Sequence, residues 1–325
     1  ASLATSYSQG IRKETYSAVE VVMVGEGIKL IVSGALSIAQ SSSKNDHHSS
    51  WPLKLLGLIG SGKKVIILVI LYSISNTIPL YAISRIGAPL FTVCIQLKIF
   101  TTAVFATMIL GREYSSAKWR AILLLIVGCI LVASPIFSQG SPPPTLETPA
   151  AAESSIGGPQ LQAVLGLVAV LAQTLISGFS SVYFESLLKD KEDSTTIWER
   201  NFQLAGFSLL VLGSYLCSET IYSSFGPSPE QQGPAKGSPL SLFDGWTGWT
   251  VVIAVLNGAG GLLVAATLKY ADAVLKCFAT AVSIIITSVV GYFFLGNDID
   301  IFVALGMVVT VIAIFNYTMD HQQSK

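Results

Sequence analysis

Ile95-Gln-Leu-Lys-Ile-Phe-Thr-Thr-Ala103 lies inside an apolar run from Ile86 to Leu110, with Lys98 near its middle. A run of about 18 or more mostly apolar residues reads as a membrane-spanning helix. A lysine at the centre of such a helix costs roughly 2.5–3.5 kcal/mol on insertion scales, so its presence asks for a reason.

The rest of the chain has the same character. Of its 325 residues, 51% are hydrophobic and only 12% charged, about half the charge of a soluble domain. Nine long apolar blocks follow one another, at about 16–40, 64–84, 87–110, 119–138, 161–187, 202–222, 247–268, 274–295 and 301–318. A membrane β-barrel would instead show alternating segments of about ten residues. The pattern predicts an all-α polytopic membrane protein. The opening Ala1–Tyr7 is too short to span, yet it reads as the tail of a tenth helix whose greater part is missing from this chain.

Alternate loops separate the basic residues. One set holds eleven: Lys44, Lys54, Lys63, Lys64, Arg112, Lys118, Arg120, Lys189, Lys191, Arg200 and Lys325. The other holds four: Arg12, Lys13, Arg85 and Lys236. Lysine and arginine collect on the cytoplasmic side, which predicts a cytoplasmic C-terminus. The opposite side carries two long segments rich in Pro, Gly and Ser, 138–159 and 223–239. Both read as flexible connectors. The sequon Asn316-Tyr-Thr318 falls at a cytoplasmic helix end and is expected to stay unmodified.

Four basic residues remain inside spans: Lys29, Lys98, Lys269 and Lys276. Leu97-Lys-Ile-Phe-Thr-Thr-Ala103 is echoed by Leu275-Lys-Cys-Phe-Ala-Thr-Ala281, and the two lysines stand 178 residues apart. Gly128 and Gly306 keep that offset. The two copies lie in spans that run in opposite directions, as in an inverted repeat, whose substrate sits near the bilayer midplane between the halves. Two ammonium groups directed into one cavity suit a ligand with about two negative charges, such as a diphosphate. Two other readings stay open on pattern alone: each lysine pairs with a buried carboxylate, or Lys276 snorkels to the cytoplasmic surface.

Other polar residues within spans divide in the same way. Glu26 and Lys29 share a helix face at i, i+3 and neutralise each other or form part of a site. Lys269 and Asp272 have the same spacing at a boundary, where a surface pair is expected. Asn76 needs partners in hydrocarbon. Pro79 and Pro89 are candidates to interrupt their helices and widen a cavity. Asn257–Leu263 (NGAGGLL) allows close helix packing or backbone room for a flat ring. The four cysteines form no CxxC pair and read as packing residues. The three histidines lack a cluster of partners, so no metal site is expected. No triad, HExxH, GxxxxGK[ST] or GxGxxG is present, and an enzyme is not favoured.

In order and spacing, five blocks resemble the Golgi nucleotide-sugar transporters, the group carrying CMP-sialic acid, UDP-galactose and UDP-N-acetylglucosamine. They are GEGIKL (25–30), QLKIFTTA (96–103), SGFSSVYFESLLK (177–189), WERNFQ (198–203) and KYADAVLKCFATAVSI (269–284). The resemblance runs from about Tyr7 to Tyr317. It implies a ten-helix inverted-repeat (5+5) fold, the first helix largely missing here. The first half would cover 1–138, a flexible lumenal loop 139–159, and the second half 160–320. Both termini would be cytoplasmic, in a multi-pass Golgi membrane protein.

The resemblance also implies roles. Lys98 and Lys276 would contact phosphate, Asn76 would lie near the nucleotide, and Asn201 would contact the base. Glu26 and Lys29 would lie close to the sugar, with Tyr183 facing the same region. Gly178 and Gly261 would allow close helix approach. The implied activity is exchange of a cytosolic nucleotide sugar for a lumenal nucleoside monophosphate, without ATP or any cofactor, with membrane lipid as surroundings and no nucleic-acid partner. A homo-oligomer is compatible with this. The chain departs from the family at Ser75-Asn76-Thr77, where QNN is usual, and at Ala273, where KYADN is usual. Ala205, four residues after Asn201, is small, which favours a UDP-sugar. The alternatives are a CMP-sialic acid carrier, a carrier of smaller phosphates or metabolites, and a receptor or scaffold that binds its ligand without moving it.

Overall fold

A computed structural model describes residues 8, 16–42, 62–133, 159–190, 195–225, 243, 245–295 and 300–323. The N-terminal stretch read as a helix tail, the connector 139–158 and residues 226–239 of the second connector lie outside the described residues.

Among the described residues there are nine helices and no strand. They are α1 (Ala18–Ser42), α2 (Lys63–Ile95), α3 (Leu97–Leu110), α4 (Ser116–Val132), α5 (Pro159–Lys189), α6 (Ile197–Phe225), α7 (Gly248–Tyr270), α8 (Ala273–Leu295) and α9 (Ile301–Gln323). Eight stretches within them are long and apolar enough to cross a membrane, from Val19–Gln40 to Ile301–Met319. Large apolar side chains point outward: Ile31, Met108, Phe293 and Ile301 are all more than 70% exposed. Lipid, unlike water, accepts such a surface while forcing backbone groups to bond within helices. Pro159 and Ser223–Phe225, read as connector, are the first and last residues of helices α5 and α6.

The break in the Ile86–Leu110 run comes from glycine and not from proline alone. Helix α2 runs through Pro79 without a non-helical residue, contrary to expectation. Its freed carbonyl is tolerable because a membrane helix can re-satisfy it locally. The kink sits at Gly87, with φ 77° and ψ 158°, two residues before Pro89. That backbone region is open essentially to glycine alone. Helix α3 then starts after Gln96 and ends at Gly111, whose φ of 63° gives a left-handed cap with its N–H on Ala106 O. Ser115 opens α4 by accepting the Lys118 N–H at 3.2 Å.

The chain divides into two compact units, each assembled from separated stretches: 1–69 with 191–266, and 70–190 with 267–325. In the first, α1 packs on α6. Gly25 and Gly258 bring α1 and α7 together, a Cβ on Gly258 falling 2.8 Å from Gly25 O. Val21, Ile253 and Ala254 form a core there, beside Tyr16, Val24 and Trp246. Glu20 accepts the Trp246 indole N–H at 2.9 Å and the Phe243 N–H at 3.3 Å.

In the second unit α4 packs on α9, α3 on α5, and α8 touches α3, α4, α5 and α9. The α3–α5 contact is close because Gly178 has no side chain: a Cβ there would lie 2.5 Å from Thr101 Oγ1 and 3.0 Å from Thr102 N. Thr101 Oγ1 donates to Thr174 O at 2.8 Å across the same contact. Phe105 meets Phe179 edge-on, and Phe278 lies 4.4 Å from Tyr317, ring centre to ring centre.

Candidate binding site

Lys98 and Lys276 belong to the same unit, each in the first turn of its helix. Both are partly exposed. Their helices, α3 and α8, are in contact. Among the described residues no carboxylate lies within ion-pair distance of either one. Lys276 Nζ donates instead to Ser181 Oγ of α5, at 3.2 Å. The buried-carboxylate reading therefore does not describe Lys276 among the described residues.

The internal echo is visible in the local bonding. Thr102 Oγ1 donates to Lys98 O at 2.6 Å, and Thr280 Oγ1 to Lys276 O at 2.9 Å. Thr102 and Thr280 are again 178 residues apart. The positive end of the α8 dipole adds to the cationic character around Lys276.

Tyr183 is in the same unit, stacked on Phe179 with ring centres 5.7 Å apart and planes 10° from parallel. Asn76 is exposed on α2, and its neighbour Ser75 accepts from Gln173 Nε2 at 2.8 Å.

The other four candidates belong to the first unit. Lys29 Nζ lies 2.7 Å from each oxygen of Glu26, and Lys29 is only 6% exposed. Gly261 of α7 seats the lysine arm: a Cβ there would come within 3.1 Å of Lys29 Cδ. Of the glycines in 257–263, Gly258 serves helix packing and Gly261 a side chain, while a Cβ on Gly260 would meet nothing within 4 Å. Asn201 is 1% exposed, in the second turn of α6. That helix opens with a capping box: Glu199 Oε2 accepts the Thr196 N–H at 2.7 Å and Thr196 Oγ1 the Glu199 N–H at 3.2 Å. Asn201 Nδ2 donates to Ile197 O at 2.9 Å, and its Oδ1 is buried without a partner.

Lys269 and Asp272 do not pair. Lys269 Nζ donates to Leu188 O. Asp272 accepts the Leu275 N–H at 2.5 Å and lies 3.4 Å from Arg112 Nη1. Each is drawn off by a group that folding brings closer than its helix neighbour.

Sequence reasoning missed the residue at the centre of this region. Glu185 is fully buried. Its Oε1 accepts from Arg112 and, at 2.7 Å, from Lys189, and its Oε2 from the Ala273 N–H at 2.8 Å. Burial works against the Arg112 guanidinium, but Tyr114, Glu185 and Asp272 outweigh it and hold its pKa above the ordinary value. Burial raises the Tyr114 hydroxyl. The signal available was Glu185 itself, the lone carboxylate of α5, since ionisable groups in such helices are rarely idle.

Eight stretches long and apolar enough to cross a membrane, among the described residues, define the class of multi-pass helical membrane proteins. The chain is a member of the nucleotide-sugar transporter family, whose profile matches residues 1–318. It is 31% identical to the UDP-N-acetylglucosamine transporter of Rattus norvegicus, over 98% of this chain and 90% of that protein. It is equally 31% identical to the UDP-galactose translocator of Homo sapiens, over 99% of this chain and 74% of that protein. A crystal structure of a protein 14% identical in sequence shares the fold at a TM-score of 0.59, covering 98% of this chain and 92% of that one.

Proposed function

We propose that the protein is an antiporter that exchanges a cytosolic nucleotide sugar for a lumenal nucleoside monophosphate across the Golgi membrane, by alternating access. The supporting observation is the Lys98–Lys276 pair, two cations on contacting helices of one unit with no carboxylate within ion-pair distance of either among the described residues. A diphosphate supplies the missing charge. The half-repeats 1–138 and 160–320 would rock about this site, with the C-terminus cytoplasmic.

In this reading Lys98 and Lys276 hold phosphate, and Asn76 and Tyr183 line the nucleotide. Asn201 offers its unpartnered Oδ1 to a base N–H, while Glu26 and Lys29, seated on Gly261, face the sugar. A UDP-sugar is favoured, because Ala205 is small and because the relatives named above carry UDP-N-acetylglucosamine and UDP-galactose. Exchange is favoured over one-way transport, since an empty crossing would leave two like charges without a counter-ion.

The test is counterflow in proteoliposomes. Liposomes preloaded with UMP should take up a labelled UDP-sugar, and CMP-loaded ones should not. Preference for CMP with CMP-sialic acid would reassign the substrate. Saturable binding without counterflow would make the protein a receptor and overturn the transport reading.

A further inference from the structure

One face of α5 is bonded, turn by turn, to the start of α8. Ser181, Glu185 and Lys189 follow one another at intervals of four and so share a helix face. Ser181 Oγ takes the Lys276 ammonium, Glu185 Oε2 takes the Ala273 N–H, and Lys189 Nζ donates to Ala271 O. Lys269 returns a bond to Leu188 O. The turn between α7 and α8 and the first turn of α8 are thus clasped to α5 from both sides.

The same helix also carries α3. Gly178 admits the backbone of Thr101 and Thr102, and Thr174 O receives the Thr101 hydroxyl. Lys98 stands one turn away, its carbonyl bonded to both threonine hydroxyls. Both lysine-bearing helices therefore take their register from a single run of α5, Thr174 to Lys189.

We propose that Ser181 and Glu185 are positioning residues that set the place of the Lys276 ammonium relative to Lys98. The chemistry is suited to the task. A hydroxyl orients an ammonium without neutralising it, so the charge remains for the ligand. Glu185 does carry a charge, but it is taken up by Arg112, Lys189 and the first N–H of α8. It anchors the helix that bears Lys276 while leaving Lys276 unpaired. The link from this arrangement to transport rests on the phosphate role proposed above; the link to Lys276 itself does not.

The experiment uses the full chain, with the variants Ser181→Ala, Ser181→Thr and Glu185→Gln. Purified protein is treated with limiting formaldehyde and a borane reductant, and methylation of Lys98 and Lys276 is quantified by mass spectrometry. Exchange kinetics are measured in proteoliposomes. Ser181→Ala should raise labelling of Lys276 but not of Lys98. It should raise KM for the nucleotide sugar about fivefold, the worth of one hydrogen bond, with kcat within about twofold. Ser181→Thr, which keeps the hydroxyl, should restore both. Glu185→Gln should move the same two readouts further; should it not fold, the Ser181 variants decide. Unchanged Lys276 labelling in Ser181→Ala, or a KM defect that threonine does not rescue, overturns the proposal. Altered labelling alongside a wild type that moves no nucleotide sugar would remove the transport reading and leave the positioning intact.

Discussion

Gly128 and Gly306 face each other where α4 crosses α9. A Cβ on Gly128 would lie 3.1 Å from Gly306 O, and one on Gly306 would lie 2.9 Å from Gly128 O. Next to them, Gly128 meets Thr310 N and Gly306 meets Val132 N. Both Gly128 to Gly306 and Val132 to Thr310 span 178 residues, so the crossing is reciprocal. The repeat in the chain is also a local two-fold in the contact.

Side chains at this crossing should be poorly tolerated. In Gly128→Ala the new methyl would stand 2.3 Å from Thr310 Oγ1, and in Gly306→Ala 2.6 Å from Val132 N. Each should cost about 1–3 kcal/mol through overpacking. A thermal-shift series in detergent should show both singles destabilised to a similar degree. The double variant should lose less than the sum, because the two methyls strain one contact.

The two lysines should fail differently from a stability mutant. Lys98→Ala and Lys276→Ala should each abolish nucleotide-sugar uptake in proteoliposomes while melting no lower than the wild type, because each removes a charge that no carboxylate neutralises among the described residues. Near-normal uptake by Lys98→Ala would take that residue out of the site.

The Glu26–Lys29 pair should behave as a unit. Glu26→Gln leaves the Lys29 ammonium buried and unpaired, and should cost about 1–3 kcal/mol, below the figure for a wholly buried pair because Glu26 is 20% exposed. Removing both charges in Glu26→Gln/Lys29→Met should recover most of that loss. Chemical or thermal denaturation in detergent measures it, and an additive double variant would count against the pairing.

Asn201 should discriminate between nucleotides without holding the fold together. Its Oδ1 makes no bond in the protein, so Asn201→Ala should weaken competition by UMP about fivefold at little cost to thermal stability. Asn201→Asp is the harsher change. It sets an acceptor against Ile197 O, which now receives the amide N–H, and should destabilise the protein visibly. Unaltered UMP competition in Asn201→Ala would remove the base-reading role.

The sequence by itself determined the class of protein, the positions of the spans, the two lysines and the glycine pair of the repeat. It could do so because lipid makes a strong demand: every backbone polar group must be bonded within its own helix, and a charge inside a span stands out against long apolar runs. It offered Pro79 and Pro89 as helix interruptions, while only the coordinates put the kink at Gly87. What the tertiary structure alone decided is who bonds with whom. Lys269 turns from Asp272 to Leu188 O, Asp272 turns to Arg112, and Glu185 gathers two cations and a helix N-terminus. The two compact units likewise interleave stretches from early and late in the chain. Such choices join residues about 70 to 160 positions apart in sequence. They depend on which faces come together, and no local pattern of residues carries that information.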